Sequence, residues 1–397
     1  MSQFILINKL KIQNANTIAG FTWGFPAITH FLGYTHNLAR KLTKENEFTD
    51  INLFGCAVIA HSHHVHTYGK YEAEFTQSRN PPYLTSHDKS STPPVIEEGK
   101  MNMTVSLLIG CEGNIGNRKD SFIDWLKKVC FIQRLAGGTV VNEEISIDVF
   151  SDEPANLRLI KRKLLPGFIL MDRSYFLQEH YESLCETNPE TELLDAWLDF
   201  SALKKRARPK YDLISTYLSE MMVEVKDATE FSELEGIWLK HLEKPYSSDA
   251  IPEVLIKYFA NLEPNKTNSK LLQQWLAYIE PKEETSADWE YVLKPRQGYL
   301  VPIMVGYKAI SPVHEPCEVK NTRDYETPVC FVEAAHSIGE WLSVHRIKTI
   351  EELRNTFWHY HYEKHWYLCK QLLNNQSEVC QPLAGESSSA NTELDFY

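Results

Sequence analysis

The sequence of 397 residues has no uninterrupted apolar stretch of about eighteen residues, so it predicts no transmembrane helix and no membrane partner. Its first residues, MSQFILINKLKIQ, lack the basic region and small-residue cleavage site of a signal peptide. The 8 cysteines include no CxxC pair. We therefore expect reduced, mostly buried thiols in a cytoplasmic protein.

The sequence also lacks the common catalytic and cofactor motifs GxSxG, HExxH, the P-loop and a GxGxxG after a strand. His61 and His345 are candidates for a general base in RNA cleavage. The histidine-rich stretches HSHHVH (61–66) and HYHYEKH (359–365) have no cysteines placed to complete a tetrahedral zinc site. We expect structural roles for these histidines, and we expect no metal, no cofactor and no catalytic activity.

The net charge of −12 is unevenly distributed along the chain. Residues 1–173 carry 19 Lys+Arg and 17 Asp+Glu, residues 174–290 carry 12 and 23, and residues 291–397 carry 10 and 13. The resulting charges of +2, −11 and −3 confine most of the acidity to the middle segment. Because electrostatic contacts are local, the first segment can still bind phosphates, whereas the middle one would repel nucleic acid or meet a basic partner.

The first segment alternates strand and helix patterns. Strands are indicated by FILINKLKIQ, LFGCAVIAHS and MTVSLLIGC, and amphipathic helices by ITHFLGYTHNLARKL and DSFIDWLKKVCFIQRL. A Pro- and Ser-rich stretch from 77 to 99 predicts a long excursion between two of the strands. This order favours an α+β fold of the ferredoxin-like or RNA-recognition type, with its helices on one face of the sheet.

The remainder of the chain divides into three further parts. Residues 174–290 are rich in helical patterns and predict a mainly helical, acidic insertion into the core, which otherwise comprises 1–173 and 291–346. The stretch GYLVPIMVGYKAIS predicts a strand, and FVEAAHSIGEWL predicts a helix. Residues 347–397 form a C-terminal extension, and its Ser-rich end is expected to be disordered.

Two groups of side chains suit single-stranded nucleic acid. The crossover after the first strand contains Gln13, Asn14, Asn16, Trp23 and Phe25, which could bond to base edges and stack on bases. They could equally form turns and a packed helix entry. The basic cluster RLIKRK (158–163) is either a solvated helix face or a phosphate contact.

Several phrases in collinear order resemble one known family. They are IQNAN, TWGFP, SRNPP, VIEEG, VSLLIG, RLAGG, LLPGF, YLVPIMVGYKAISP, NTRDYETP and IGEWLSVHR. Together they resemble the second subunit of the Csy complex, the type I-F CRISPR Cascade, a Cas-five-type RAMP protein. The resemblance covers about 1–176 and 291–346.

The resemblance implies a non-catalytic, RNA-binding subunit with an RNA-recognition-like fold. Such a subunit pairs with the large Csy subunit, grips the 5′ handle of the CRISPR RNA and caps one end of the filament, beside its first backbone subunit. Guide pairing then reads the target, and target DNA is a further candidate partner. A dedicated endoribonuclease elsewhere in the complex cuts the repeat.

The resemblance also implies roles for particular residues. Handle bases would bond to the amides of Gln13, Asn14 and Asn16, with Trp23 and Phe25 stacking on them or shaping the loop. Arg79 and Asn80 would open a thumb-like element over the guide. RNA-backbone or partner contacts would come from Arg134, Arg162, Arg173, Arg323 and Arg346.

Two alternatives stay open at this point. Some Cas-five relatives cleave the repeat without a metal, so an endoribonuclease is one of them. A protein–protein adaptor that acts through 174–290 is the other. The resemblance implies nothing about the function of that insertion or of the C-terminal extension.

Overall fold

In the computed structural model the chain separates into two compact units, Met1–Glu182 with Gly298–Tyr397, and Ser183–Gln297. The structure describes residues 2–20, 22–69, 74–79, 83–87, 89–91, 95–209, 211–224, 229–243, 251–266, 268–280, 288–322 and 324–372. Asn80, Arg323 and the C-terminal end predicted to be disordered lie outside these ranges. The mixture of a large antiparallel sheet with helices confirms the predicted α+β class.

The strands are β1 (Ser2–Asn16), β2 (Ile18–Ala19), β3 (Thr22–Trp23), β4 (Asn52–Val65), β5 (Thr67–Tyr68), β6 (Glu74–Arg79), β7 (Tyr83–Ser86), β8 (Lys89–Ser91), β9 (Val95–Glu98), β10 (Lys100–Glu112), β11 (Thr139–Val140), β12 (Ser146–Ser151), β13 (Phe168–Asp172), β14 (Lys205–Arg208), β15 (Asp288–Tyr291), β16 (Leu300–Ala309), β17 (Val332–Ser343), β18 (Trp358–Glu363) and β19 (Trp366–Gln371). The helices are α1 (Ile28–Leu42), α2 (Lys119–Ile132), α3 (Leu157–Leu164), α4 (Ser174–Thr187), α5 (Leu193–Ser201), α6 (Tyr211–Glu224), α7 (Thr229–Glu243), α8 (Glu253–Ala260), α9 (Ser269–Ile279) and α10 (Ile350–Arg354).

One large sheet organises the first unit. Its strands follow the order β11-β1-β10-β4-β13-β17-β16-β19-β18, and β12 pairs with β1 beside β11. Within it, β12, β1, β10 and β4 are neighbours in that order, and every pairing among them is antiparallel. In the chain these four strands follow the sequence β1-α1-β4-β10-α2-β12. The excursion between β4 and β10 contains the short strands β5 to β9.

The sheet is covered on both faces, so the expectation of helices on one face only is wrong. Ile5 and Ile7 of β1 pack with residues of α1 and α2, whereas Phe4 and Leu6 pack with residues of α3 and α10. Neighbouring residues of a strand point to opposite faces, and all four side chains are at most 2% exposed. Helices therefore cover both faces of β1.

The helix predicted from ITHFLGYTHNLARKL is confirmed as α1. It begins two residues after Pro26, and its basic side chains Arg40 and Lys41 lie in the last turn, where they oppose the partial negative charge of the helix end. Phe31 and Leu38 are completely buried against the sheet. Amphipathic spacing therefore sufficed to locate this helix.

The helix predicted from FVEAAHSIGEWL is wrong, because this stretch is the strand β17. Phe331, Ala335, Ile338 and Leu342 recur at helical spacing and suggested a helix. In the structure β17 pairs with β16 on one edge and with β13 on the other. Hydrogen bonding along both edges outweighs a short periodic pattern, since local preference is weak beside tertiary context.

The second unit is built mainly from helices. Helices α6 to α9 enclose a core in which Trp238, Phe259, Trp275 and Tyr278 pack together. A two-stranded antiparallel ribbon of β14 and β15 accompanies them. The sequence patterns of this segment gave little sign of those strands.

Candidate nucleic-acid interface

Gln13 and Asn14 lie at an irregular point of β1. The register between β1 and β10 shifts between Ile12 and Ala15, as in a β-bulge. Asn14 has a φ of 58°, and its backbone N–H donates to Asn102 Oδ1 at 3.1 Å. Both amide side chains are exposed. A bulge turns side chains away from the regular ladder, so the strand end presents two amides to solvent.

Asn16 uses its side chain to shape the following turn. Its Nδ2 donates to the carbonyl of Ile18 at 2.7 Å, and its Oδ1 accepts from the Ile18 N–H at 3.2 Å. This is the local bonding that makes Asn common in turns. The local bonds of Asn16 therefore agree with the turn-forming interpretation.

Trp23 and Phe25 have different environments. Trp23 is 38% exposed, and its ring centroid is 4.1 Å from that of Phe75 in the excursion. Phe25 lies parallel to Phe31 at 5.6 Å and meets Trp341 edge-on at 4.8 Å, next to the main core. Trp23 thus keeps ring surface for a ligand, whereas Phe25 fixes the entry to α1 by packing.

The crossover is held firmly by backbone contacts. The Thr17 N–H donates to the Gly99 carbonyl at 3.0 Å, and the Gly24 N–H donates to the Thr17 carbonyl at 2.9 Å. Gly20 has a φ of +65°, and a Cβ there would lie 2.5 Å from His336 Nε2. Only glycine fits this approach without a rearrangement. The position of Trp23 is therefore set before any ligand arrives.

The arginines named from the resemblance separate into two kinds. Arg134, Arg162 and Arg346 are exposed, and within the described residues no carboxylate pairs with them. Arg173 is buried, and its Nε donates to Glu340 Oε2 at 2.7 Å. Arg79 lies in β6 opposite Val95, and nothing is described of its side chain.

The cations around α3 also divide into side chains with bonding partners and exposed side chains. Lys161 Nζ donates to the His345 carbonyl at 2.9 Å and also to the Ile347 carbonyl, and Lys163 pairs with Asp148 at 2.8 Å. The Lys161 bonds attach α3 to the short turn that carries Arg346, and the Lys163 ion pair attaches α3 to β12. Arg158 and Arg162 are one helical turn apart and both exposed. Among the residues that the structure describes, no carboxylate pairs with either of them, so the α3 corner, formed by α3 and the turn at Arg346, keeps positive charge.

Comparison with known proteins identifies the family. The family model described as CRISPR-associated protein (Cas_Csy2) matches residues 5–216 and 222–369. The chain is also 31% identical, over 377 residues, to the CRISPR-associated protein Csy2 of Pseudomonas aeruginosa (strain UCBPP-PA14), covering 90% of this chain and 91% of that protein. The chain belongs to the Csy2 family. This confirms the resemblance found in the sequence, and the matched residues include the crossover, the α3 corner and most of the second unit.

The candidate general bases of this Csy2-family chain are engaged in local bonds. His61 Nδ1 donates to the Pro166 carbonyl at 2.7 Å, and its Nε2 lies 2.7 Å from Ser106 Oγ. Burial lowers the pKa of His61 below its usual value. His345 Nδ1 lies 2.7 Å from Ser343 Oγ. In this arrangement His61 connects β4 to the Pro166 turn.

The described ranges of the chain contain no group of three or more His, Cys, Asp and Glu side chains arranged to hold a metal ion. Of the helices in the described part of the chain, none has the length and apolarity needed to cross a membrane. Buried thiols are present, and burial raises the pKa of Cys56 to about 12, which leaves it uncharged.

The structure adds two residues to the site that sequence patterns did not indicate. Phe75 supports the Trp23 ring, and Asn102 holds the Asn14 backbone. Phe75 lies 52 positions from Trp23 and Asn102 lies 88 from Asn14. No local signal connects residues so far apart, because strand pairing and the path of the excursion bring them together.

Proposed function

We propose that this chain is the non-catalytic RNA-binding subunit of a type I-F CRISPR surveillance complex, the Csy complex. It grips the 5′ handle of the CRISPR RNA at the crossover and caps one end of the backbone filament together with the large subunit. Membership of the Csy2 family supports the complex. The single observation that carries the RNA site is the exposed Trp23 ring on a backbone fixed in advance.

The chemistry of the crossover suits unpaired ribonucleotides. Exposed amides of Gln13 and Asn14 can bond to the edges of splayed bases, and Trp23 offers a stacking surface supported by Phe75. Arg158, Arg162 and Arg346 supply charge for the RNA backbone. Arg134 is a further backbone contact, while Arg173 acts through its bond to Glu340, which holds β13 to β17.

We also assign the core to the ferredoxin-like RAMP class. The chain order β1-α1-β4-β10-α2-β12 and the spatial order β12-β1-β10-β4 support this assignment. The excursion between β4 and β10, within which Arg79 and Asn80 lie in the chain, takes the thumb-like role. The protein acts in the cytoplasm, without a cofactor.

The second unit offers a surface for a protein partner such as the large subunit. The ribbon of β14 and β15 and the residues beside it carry exposed large apolar side chains, namely Leu203, Trp289, Tyr291 and Leu293. Exposed aromatic and aliphatic clusters mark protein contacts, and the acidic charge of this segment suits a basic partner. Replacing Trp289 and Tyr291 by Ser should weaken subunit association and leave RNA retention by the remaining complex unchanged.

The proposed function is tested by co-expressing the chain with the other subunits and a CRISPR array, then sequencing any RNA that co-purifies. A short RNA with a constant 5′ end is expected. Absence of such RNA from an assembled complex would contradict the proposal. Incubation of the purified chain with labelled repeat RNA separates it from an endoribonuclease, since cleavage that is lost in His61→Ala would overturn the non-catalytic assignment.

A further inference from the structure

Three tyrosines form a row across the strands at one end of the large sheet. Tyr307 of β16 lies directly opposite Tyr367 of β19, and Tyr367 lies directly opposite Tyr362 of β18. Directly paired residues point to the same face. The ring centroids of Tyr362 and Tyr367 are 4.9 Å apart, and the three side chains are 38%, 39% and 63% exposed in the order 307, 367, 362. The row therefore presents three partly exposed tyrosine side chains to solvent.

The support beneath this row is rigid. Strands β18 and β19 are joined by two residues, Lys364 and His365, whose φ values are 43° and 74°. Two successive residues with positive φ make a tight hairpin of the kind that Asn and Gly usually form. Lys and His in that conformation cost about 1 kcal/mol each. The short turn fixes Tyr362 and Tyr367 with little freedom to lose on binding.

The row begins beside the crossover. Ala334 of β17 lies directly opposite Tyr307, and Ala334 packs against Ala19 and Ala27 of the crossover together with Met304. A strand of RNA held at the crossover therefore has a route onto the tyrosines. The crossover and the beginning of the row are therefore neighbours at β17.

One exposed lysine adjoins the row. Lys364 lies in the turn between Tyr362 and Tyr367, where its charge can approach an RNA phosphate. Lys308 follows Tyr307 in β16 and therefore points to the opposite face, where its Nζ lies 4.8 Å from the centre of the Trp366 ring.

We propose that Tyr307, Tyr367 and Tyr362 form a second stacking platform, which binds unpaired nucleotides of the guide RNA that continue from the crossover. The inference rests on the proposed function. Bases stack on aromatic side chains whatever their sequence, because every base has a flat face. The platform would therefore hold nucleotides by shape and leave sequence reading to other residues.

The test uses the assembled complex with its RNA. One variant replaces all three tyrosines by Leu, and a matched variant replaces them by Phe, which keeps the rings. The Leu variant should retain the RNA about tenfold less tightly or worse, and the Phe variant should stay within about twofold of the wild type. Tyr299→Leu changes an exposed tyrosine just before β16, at the opposite end of that strand from Tyr307, and should leave RNA retention unchanged.

Ultraviolet crosslinking of the unmodified complex, read by mass spectrometry, should attach nucleotides to the peptides that contain this row. Crosslinks elsewhere only, with unchanged retention in the Leu variant, would overturn the platform. Loss of a protein subunit with RNA still retained would assign the row to protein docking and also overturn it. If the wild-type complex retains a short RNA with a constant 5′ end, the proposed function survives either result. If no RNA co-purifies, the proposed function itself fails.

Discussion

Trp23 and Phe25 are two residues apart, yet Trp23→Ala should mainly weaken RNA binding, whereas Phe25→Ala should mainly lower the free energy of unfolding. Trp23 is 38% exposed and contacts Phe75 on one side. Trp23→Ala should therefore cost only about 1–2 kcal/mol of unfolding free energy, mostly from that ring contact and partial burial. Phe25 packs between Phe31 and Trp341. Phe25→Ala should cost about 2–3 kcal/mol, less than for a fully buried ring because the side chain is half-buried.

For RNA affinity, the larger loss should come from Trp23→Ala. Loss of one stacked base costs about 1–3 kcal/mol, which corresponds to about a fivefold to hundredfold weaker Kd for Trp23→Ala. Phe25→Ala should change the Kd by less than about threefold, provided that the protein is folded, because the ring of Phe25 faces the core. Trp23→Phe is the matched control, since it keeps a stacking surface and should restore most of the affinity.

The assays are urea unfolding of the purified chain, and a titration of the assembled complex with labelled guide RNA. Equal loss of RNA affinity in both alanine variants would mean that the crossover acts only through its fold. Unchanged affinity in Trp23→Ala, with the variant folded and assembled, would remove Trp23 from the RNA site. Either result would refute the inference that the exposed Trp23 ring contacts RNA while the half-buried Phe25 ring only supports the fold.

Three further predictions concern charge. Arg173→Leu leaves the Glu340 carboxylate, whose side chain is 13% exposed, without its partner. The free energy of unfolding in urea should fall by about 3–5 kcal/mol, and a small loss would contradict a structural ion pair. Burial lowers the pKa of His61 in the folded protein, so the contribution of neutral His61 to stability is complete above about pH 6.5 and is lost as the pH falls below that value. The urea concentration at the unfolding midpoint should therefore decrease between about pH 7.5 and 5.5, and this decrease should be smaller in His61→Asn. Replacing Arg158 and Arg162 by Ala should weaken guide binding and reduce its salt dependence by up to about two phosphate contacts, whereas an unchanged salt slope would exclude both from the backbone path.

The sequence by itself determined the elements whose signal is local and repeated. Amphipathic spacing located α1, and continuous apolar stretches located β4 and β10. Collinear phrases indicated the family to which the chain belongs. Composition also separated an acidic segment from the rest of the chain.

Only the tertiary structure decided where the side chains meet. Asn16 bonds within its own turn, Phe25 joins the core, and Trp23 stays open against Phe75 from a distant strand. Those outcomes depend on pairing between strands that are far apart in the chain, which single-sequence periodicity does not encode. The same reason explains why β17 was predicted as a helix, since its apolar residues repeat at helical spacing while hydrogen bonds from both neighbouring strands hold it extended.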